Sequence, residues 1–485
     1  MQNIKKQILT NSIFFFLIYA LMFYVVLRSI SMVITHDEAY SFYNAKHFWW
    51  VETLCTGNTH WFNFLAMKTC ILFGFEKTSQ LRWFSLLSSG IFLTIIYFWI
   101  KTIRDFPVKV FACSVAVLNP FLIDYLSLAR GYSTALMFEA LSIACYCIAL
   151  KNNKRSTAVI SLFFTGMAAI ANFNFFYFFV AFCCIYFFRY FFKRDFAFLK
   201  SKLFYLEMFF AFGIAAVVIK ALRFITTCSN DIGAYGGEDL ISGVFMGYVH
   251  TLVYSNDNVN ETSLRVFATI FCVLVMSASV YGIWLHKQHR CPWYTLSAGL
   301  LLLMILLTMI TKLCFGVLYP TYRTALMFYP LIAMVLIGFF NALYSSLKMK
   351  AIILYSFSGL LALHFIMNMS LTKSFDYWQQ ADTKICFTYL DSLSSKKVGI
   401  APELYGVYRN YYQLTDKHKF MFQGKSINTA FPGGLDTNQE LKNFEYLVLF
   451  PPYNLNFYKN NTVKLEGVTY YKNTGTLVVR VMPFN

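Results

Sequence analysis

About eleven stretches of this chain are apolar for the length of a bilayer, and no water-soluble fold buries that many. They run near 9–30, 82–100, 108–126, 131–150, 156–172, 173–190, 203–225, 264–285, 293–314, 324–345 and 351–370. Each approaches the roughly 17–25 residues that a helix needs to cross the hydrocarbon core. The balance of residues agrees: 58% are hydrophobic and 13% charged, against about 45–50% and about 25% in soluble domains. Lipid is therefore the expected solvent of most of the chain.

The formal net charge is +18. In a soluble protein that balance suggests nucleic acid. Here the basic residues stand in short loops between apolar runs, so no nucleic-acid partner is expected and the charges read as orientation signals. With the N-terminus inside, every inside loop is basic. The loops hold Lys101, Arg104 and Lys109; Lys151, Lys154 and Arg155; Arg189, Lys193, Arg194, Lys200 and Lys202; Lys287 and Arg290; Lys348 and Lys350. The outside segments, 31–81, 227–262 and 371–485, are longer and mixed in charge. Lys5 and Lys6 precede the first apolar run with no small-residue cleavage site after it, which reads as a retained signal anchor. The 12 cysteines show no C-x-x-C spacing. They read as small buried hydrophobes, with Cys55 and Cys70 the one pair that could meet on an oxidising face.

Residues 61–75 are apolar but too few to span. A further crossing there would reverse the charge pattern downstream, so a helix lying on the membrane surface is expected. The weakest division is 156–190, where two spans share a break at Ala171-Asn172-Phe173-Asn174. From 371 onward polar residues return. Strands are expected at Lys397–Ala401, Tyr446–Phe450, Val463–Tyr471 and Thr476–Val481, with helices at 375–394 and 403–413. The fold class is thus an all-α polytopic membrane domain, 1–370, followed by a small extracytoplasmic α/β domain, 371–485. Compact loops favour a bacterial inner membrane, with the N-terminus cytoplasmic and the C-terminal domain periplasmic.

Three outer features carry charge where charge is costly. Directly after the first span comes Thr35-His36-Asp37-Glu38. Adjacent carboxylates can divide into base and binding roles or hold a cation; the plainer reading is a helix cap by Thr35 or Asp37. Between the third and fourth spans lies Ala129-Arg130-Gly131-Tyr132, and before the tenth lies Tyr322-Arg323. Each arginine can take a phosphate through its planar fork, or can snorkel to lipid headgroups. Weaker candidates are His60 as an acceptor or metal ligand, Arg82 as an anchor of the second span, Asp124 as an arginine partner, and the glycine-rich acidic loop 231–239 as a lid.

In their order and common sidedness these elements resemble the GT-C glycosyltransferases, specifically the protein-mannosyltransferase and aminoarabinose-transferase-like group (glycosyltransferase family 39-like). The shared elements are Asp37-Glu38 after the first span, a surface helix at 61–75, Leu81-Arg82-x-x-Ser85 opening the second span, Ala129-Arg130-Gly131-Tyr132, and Tyr322-Arg323. The likeness covers residues 5–370. Trp61 departs from the proline that often follows the position of His60. The resemblance implies sugar transfer from a polyprenyl-phosphate-linked donor to an acceptor protein, lipid or glycan at the outer face, in contact with membrane lipids. On that reading Asp37 is the general base. Glu38 orients the acceptor or shares a divalent metal, the candidate cofactor. Arg130, Tyr132 and Arg323 bind the donor phosphate, and His36 and His60 are acceptor or accessory residues. The competing class is a transporter or flippase for a lipid-linked or anionic substrate. It should show mid-membrane charge and repeat symmetry, and the sequence is read as having neither. A non-catalytic scaffold would leave Asp37, Glu38 and the arginines without a role.

The loop charges predict opposite sidedness for Lys154 and Lys417. Cysteines introduced at the two positions should label from opposite faces of sealed vesicles, and labelling from one face would overturn the span count.

Overall fold

The computed structural model describes residues 2–48, 60–193, 201–228, 236–254, 260–285, 292–346, 350–393, 397–415, 420–426, 444–449, 465–471 and 474–482. Cys55, residues 231–235 of the acidic loop, the loop charges Arg194, Lys200, Lys287, Arg290 and Lys348, and Lys417 lie outside the described residues.

The helices follow the chain as α1 Gln2–Ser31, α2 His36–His47, α3 Trp61–Leu72, α4 Thr78–Leu81, α5 Trp83–Thr102, α6 Phe106–Val117, α7 Pro120–Ser127, α8 Gly131–Asn152, α9 Arg155–Ala171 and α10 Phe176–Lys193. They continue as α11 Lys202–Met208, α12 Ile214–Cys228, α13 Met246–Val253, α14 Glu261–Trp284, α15 Pro292–Phe315, α16 Tyr329–Ser346, α17 Ala351–Met367, α18 Thr383–Ser392 and α19 Pro402–Val407. Two compact units are formed: one from Met1–Val26, Trp50–Asn63 and Trp83–Met369, the other from Leu27–Trp49, Phe64–Arg82 and Ser370–Asn485.

Every apolar run expected to span is helical, although the run at 108–126 is divided between α6 and α7. Seven stretches are long and apolar enough to cross a membrane, or up to eight if α6 and α7 form one broken span. This is a multi-pass membrane protein. The runs at 156–172, 173–190 and 351–370 correspond to shorter apolar helices. The 55° bend between α6 and α7 has a local cause. Pro120 opens α7 and disfavours helical backbone at Asn119, and the Asn119 side chain accepts from the Phe121 and Leu122 amides instead. The break at 171–174 is made the same way. Asn172 is extended and its side chain accepts from Asn174 N–H.

Within the first unit, polar side chains join helices in the way that membrane interiors allow. Ser88 of α5 meets Thr134 of α8 at 3.2 Å, Ser89 donates to the Leu126 carbonyl at 2.7 Å, and Ser142 of α8 pairs with Thr165 of α9. The span containing α16 is the most enclosed, 72% buried, with α8 next at 61%. The segment 227–262, read from sequence as an outside connection, contains something that reading missed, an apolar helical stretch at Ile241–Val253. It is too short to register as a span. Of residues 61–75, Trp61–Leu72 form α3, twelve residues long and likewise too short to cross.

The second unit carries a mixed five-stranded sheet, ordered β2-β1-β3-β5-β4. Its strands are β1 Lys397–Ile400, β2 Gln423–Ser426, β3 Tyr446–Leu449, β4 Leu465–Tyr471 and β5 Thr476–Val481. β1 runs parallel to β2 and β3; β5 is antiparallel to β3 and β4. Four strands match expectation. β2 does not: Gln423-Gly424-Lys425-Ser426 is polar and exposed as an edge strand, so it lacks the apolar alternation that betrays a strand. The helix expected over 375–394 is confined to α18, after a short 3-10 turn at Trp378–Gln380. That leaves Tyr377 outside regular helix, where it serves the site described next.

Candidate active site

The chain leaves α1 at Ser31 and starts α2 at His36. Thr35 is the N-cap: its hydroxyl oxygen accepts from the Glu38 amide at 3.3 Å, and Glu38 Oε2 accepts from the Thr35 amide at 3.0 Å. This reciprocal capping box satisfies two amides that a helix start leaves open. It also aims Glu38 back toward α1, where Arg82 lies. Arg82 donates to Glu38 Oε1 through Nε at 2.8 Å and to Oε2 through Nη2 at 2.6 Å. Its remaining hydrogens reach the carbonyls of Ser29 (2.8 Å), Met32 (3.0 Å) and Val33 (2.8 Å). Both side chains are fully buried. Arg82, read from sequence as an anchor of the second span, is held there by carbonyl and carboxylate oxygens of the protein, and it bolts the end of α1 to the start of α2.

Asp37 has a different environment. Its Oδ2 accepts from the Tyr377 hydroxyl at 2.5 Å, and Oδ1 lies 3.7 Å from His36 Nδ1. The Asp37 side chain is 9% exposed and that of His36 38%, so the histidine leads from the carboxylate toward solvent. His36 is fixed in turn. Its amide donates to Gln380 Oε1 at 2.7 Å, and its ring packs against Gly406 so closely that an added methyl there would lie 2.4 Å away. The segment supplying Tyr377 and Gln380 is tied down by Arg28, which donates to the Ser370 and Lys373 carbonyls. Farther along α2, Lys46 pairs with Glu76 at 2.7 Å and donates to the Leu414 carbonyl at 2.6 Å. Tyr377, Gln380 and Arg28 were not singled out from sequence. Their partners lie more than 300 residues away in the chain, and no local motif marks them.

The first unit gathers His60, Arg130 and Tyr132. Arg130 is the N-cap of α8 and only 1% exposed, which removes the headgroup-snorkelling reading. Tyr132 packs edge-on against His60 (5.4 Å) and Tyr125 (4.8 Å). Gly131 permits this approach: a methyl group there would lie 2.3 Å from the Ala171 carbonyl oxygen and 2.7 Å from the His60 ring. Three polar groups around this corner, the amide nitrogens of Asn63 and Asn172 and the Ser133 hydroxyl, are buried without a hydrogen-bond partner among the described residues. Buried donors left open in this way mark a place for an acceptor. The positive end of α8 adds to the attraction for an anion.

Arg323 is half-buried in the first unit, on a turn with an unusual backbone. Tyr322 has φ +46°, the left-handed region that a bulky residue rarely adopts. The turn is held by reciprocal Thr321 and Thr324 bonds, by close approach of Gly247, and by His250 against the Tyr322 ring at 5.3 Å. Just upstream, Tyr319 and Gly237 exchange both backbone hydrogen bonds at 3.0 Å. The described end of the acidic loop is thereby anchored beside the Arg323 turn. Its acids are paired, Glu238 with Lys312 and Asp239 with Arg265, while Asp124 accepts from the Tyr254 hydroxyl. The Ser242 amide beside Asp239 holds that carboxyl below its usual range.

One expectation about charge is corrected. Glu139, near the middle of α8, is fully buried, and neither carboxylate oxygen has a hydrogen-bond partner among the described residues. The sequence reading overlooked it because a single acid scarcely alters a 22-residue apolar run.

Several solved structures are similar to this chain, two of them of one protein. One is ArnT from Cupriavidus metallidurans bound to undecaprenyl phosphate, with 8% identity, a TM-score of 0.48, and coverage of 96% of this chain and 97% of that one. The other is the same protein in the apo state, with 10% identity, a TM-score of 0.49 and the same coverage. No family model matches the chain, and no curated protein matches it.

The environments of the two carboxylates predict different consequences of removing charge. Glu38→Gln leaves Arg82 buried without its counter-charge and should cost about 3–5 kcal/mol of stability. Thermal unfolding in detergent should show it as a large fall in melting temperature. A melting temperature equal to the parent's would mean that Arg82 does not depend on Glu38.

Proposed function

We propose that the protein is an integral-membrane glycosyltransferase, moving a sugar from a polyprenyl-phosphate-linked donor to an acceptor hydroxyl on the extracytoplasmic face. The observation that carries this reading is the corner at Arg130. It is a buried guanidinium at a helix N-terminus, with open amide and hydroxyl groups around it, and such a place suits a phosphate. Arg323 on its constrained turn is assigned the same task, and Tyr132 is assigned with them to the donor phosphate.

In the proposed step the acceptor oxygen attacks the anomeric carbon as the bond from that carbon to the phosphate oxygen breaks. The electron pair leaves with the polyprenyl phosphate, whose growing charge the arginines stabilise. The acceptor proton passes to Asp37. Such general-base help contributes about 10²–10⁴ in rate. Direct displacement inverts the anomeric configuration. Tyr377 holds one oxygen of Asp37 in place, and the His36 ring lies 3.7 Å from the other, on the solvent side. His60 is assigned to the acceptor or to the support of Tyr132.

Glu38 is reassigned from acceptor contact to positioning, since both its oxygens are engaged by Arg82 and Thr35. The same engagement makes the Asp37–Glu38 pair a poor fit for a shared divalent metal. Among the described residues no three His, Cys, Asp or Glu side chains converge to hold one, and no step here runs through a metal. We assign residues 1–370 to the membrane domain and 371–485 to a periplasmic domain of a bacterial inner-membrane protein, the latter supplying Tyr377. The acceptor is a protein, lipid or glycan hydroxyl.

Glu139 favours the other reading, a transporter or flippase, because a buried mid-span carboxyl is a common relay element. The two readings separate experimentally. Asp37→Asn keeps the shape of the side chain but cannot take a proton at neutral pH. It should abolish transfer from a polyprenyl-phosphate sugar while donor binding persists; near-normal turnover would return the transporter reading to the front, with Glu139→Gln as its test. Tyr377→Phe should lower kcat by about tenfold or more, the value of a hydrogen bond to a charged group. Donor affinity should stay as in the parent, and the melting temperature should fall by less than in Glu38→Gln, since the ring is kept and no charge loses its counter-charge. Arg130→Ala and Arg323→Ala should each weaken polyprenyl-phosphate binding by about 1.5–3 kcal/mol, with lysine restoring only part of it. Unchanged binding in both alanine variants would remove the proposed donor site.

A further inference from the structure

A cavity lies in the membrane unit, apart from the residues assigned to transfer. Helices α5, α8, α15 and α16 do not close on one another completely. Ala140, Ala144 and Ala333 are too small to fill the space between them, and a cavity of about 770 Å³ remains. That is within the ordinary range of ligand pockets, about 300–1,000 Å³. Its walls are overwhelmingly apolar, and one end is different. Lys151, at the last turn of α8, and Arg104, in the link between α5 and α6, both line that end. Both are exposed, and neither takes part in an ion pair among the described residues.

At the same end Trp99 stands edge-to-face with Trp293, ring centroids 5.1 Å apart. The indole N–H of Trp99 is buried and has no acceptor among the described residues. A buried indole N–H normally finds one. The cavity thus offers, in sequence, two uncommitted cations, a donor just below them, and an apolar tube. A glycerophospholipid carries the complementary series of phosphate, ester carbonyl and acyl chain.

We propose that this cavity binds an anionic glycerophospholipid. The phosphate sits on Arg104 and Lys151, the Trp99 N–H donates to an ester carbonyl, and one acyl chain lies between α8 and α16. The ester is what separates this ligand from a polyprenyl phosphate, which has a phosphate and an apolar tail but no carbonyl for Trp99. Basic pockets between membrane helices hold lipid headgroups by the same electrostatics. The proposal does not depend on the glycosyl-transfer reading.

The test is native mass spectrometry of the purified full-length protein, supplied in turn with phosphatidylglycerol, phosphatidylcholine and a polyprenyl phosphate. Phosphatidylglycerol should be retained about tenfold over phosphatidylcholine. The double variant Arg104→Ala, Lys151→Ala should erase that preference while leaving polyprenyl-phosphate retention unchanged. Ala144→Phe fills the tube and should displace the phospholipid even with both cations in place. Equal retention of the two phospholipids by the parent would overturn the proposal. So would loss of polyprenyl phosphate in the double variant, which would give the cavity to the carrier.

Discussion

A single guanidinium organises the C-terminal end of the first helix. Arginine has five N–H donors in a fixed fork, and Arg82 uses them on Ser29, Met32, Val33 and both oxygens of Glu38. The last carbonyls of a helix have no partners of their own, so Arg82 closes α1 and, through Glu38, sets where α2 begins. A buried charge is costly unless paired and fully hydrogen-bonded. Here every hydrogen has an acceptor, and lysine could not reproduce the arrangement because it lacks the planar fork. The interaction is better understood as a specifier of geometry than as a source of net stability.

From that constraint follows the separate use of two adjacent carboxylates. On a helix, neighbouring residues project about 100° apart, so when Glu38 is turned inward to Arg82 its neighbour cannot point the same way. Asp37 is left facing Tyr377 and His36. Two identical functional groups one residue apart thus acquire different chemistry from position alone, the general pattern by which carboxylate pairs divide tasks. The C-terminal segment is part of this arrangement. Tyr377 and Gln380 hold Asp37 and His36, Gly406 packs on the His36 ring, and the Phe42 ring meets Tyr411 at 5.2 Å. A domain that reads from sequence as an appendage supplies half of the Asp37 environment.

The membrane unit shows how small residues are spent. Gly131 lets His60 and the Ala171 carbonyl approach the start of α8, and Gly247 does the same for the Thr321 turn. Ala140, Ala144 and Ala333 instead leave space unfilled. In hydrocarbon there is no hydrophobic drive to collapse such a gap, since lipid tails are as apolar as the helices. The gap persists and can hold a lipid chain.

What the sequence by itself determined was set by solvent and period. Apolar runs of bilayer length, basic loops in alternation and β-rich segments after 371 follow from local composition, and the helices of the apolar runs and four of five strands lie where those patterns place them. Asp37, Glu38, Arg130 and Arg323 were legible as candidates because charge beside a membrane span is rare. Their roles were not. Glu38 and Arg82 are 44 residues apart, and Asp37 and Tyr377 are 340 apart. No period or spacing encodes such pairs. Only the tertiary structure decides which carboxylate is consumed by an arginine and which is left to a tyrosine, because that depends on which distant oxygen or nitrogen the packed chain brings within 3 Å.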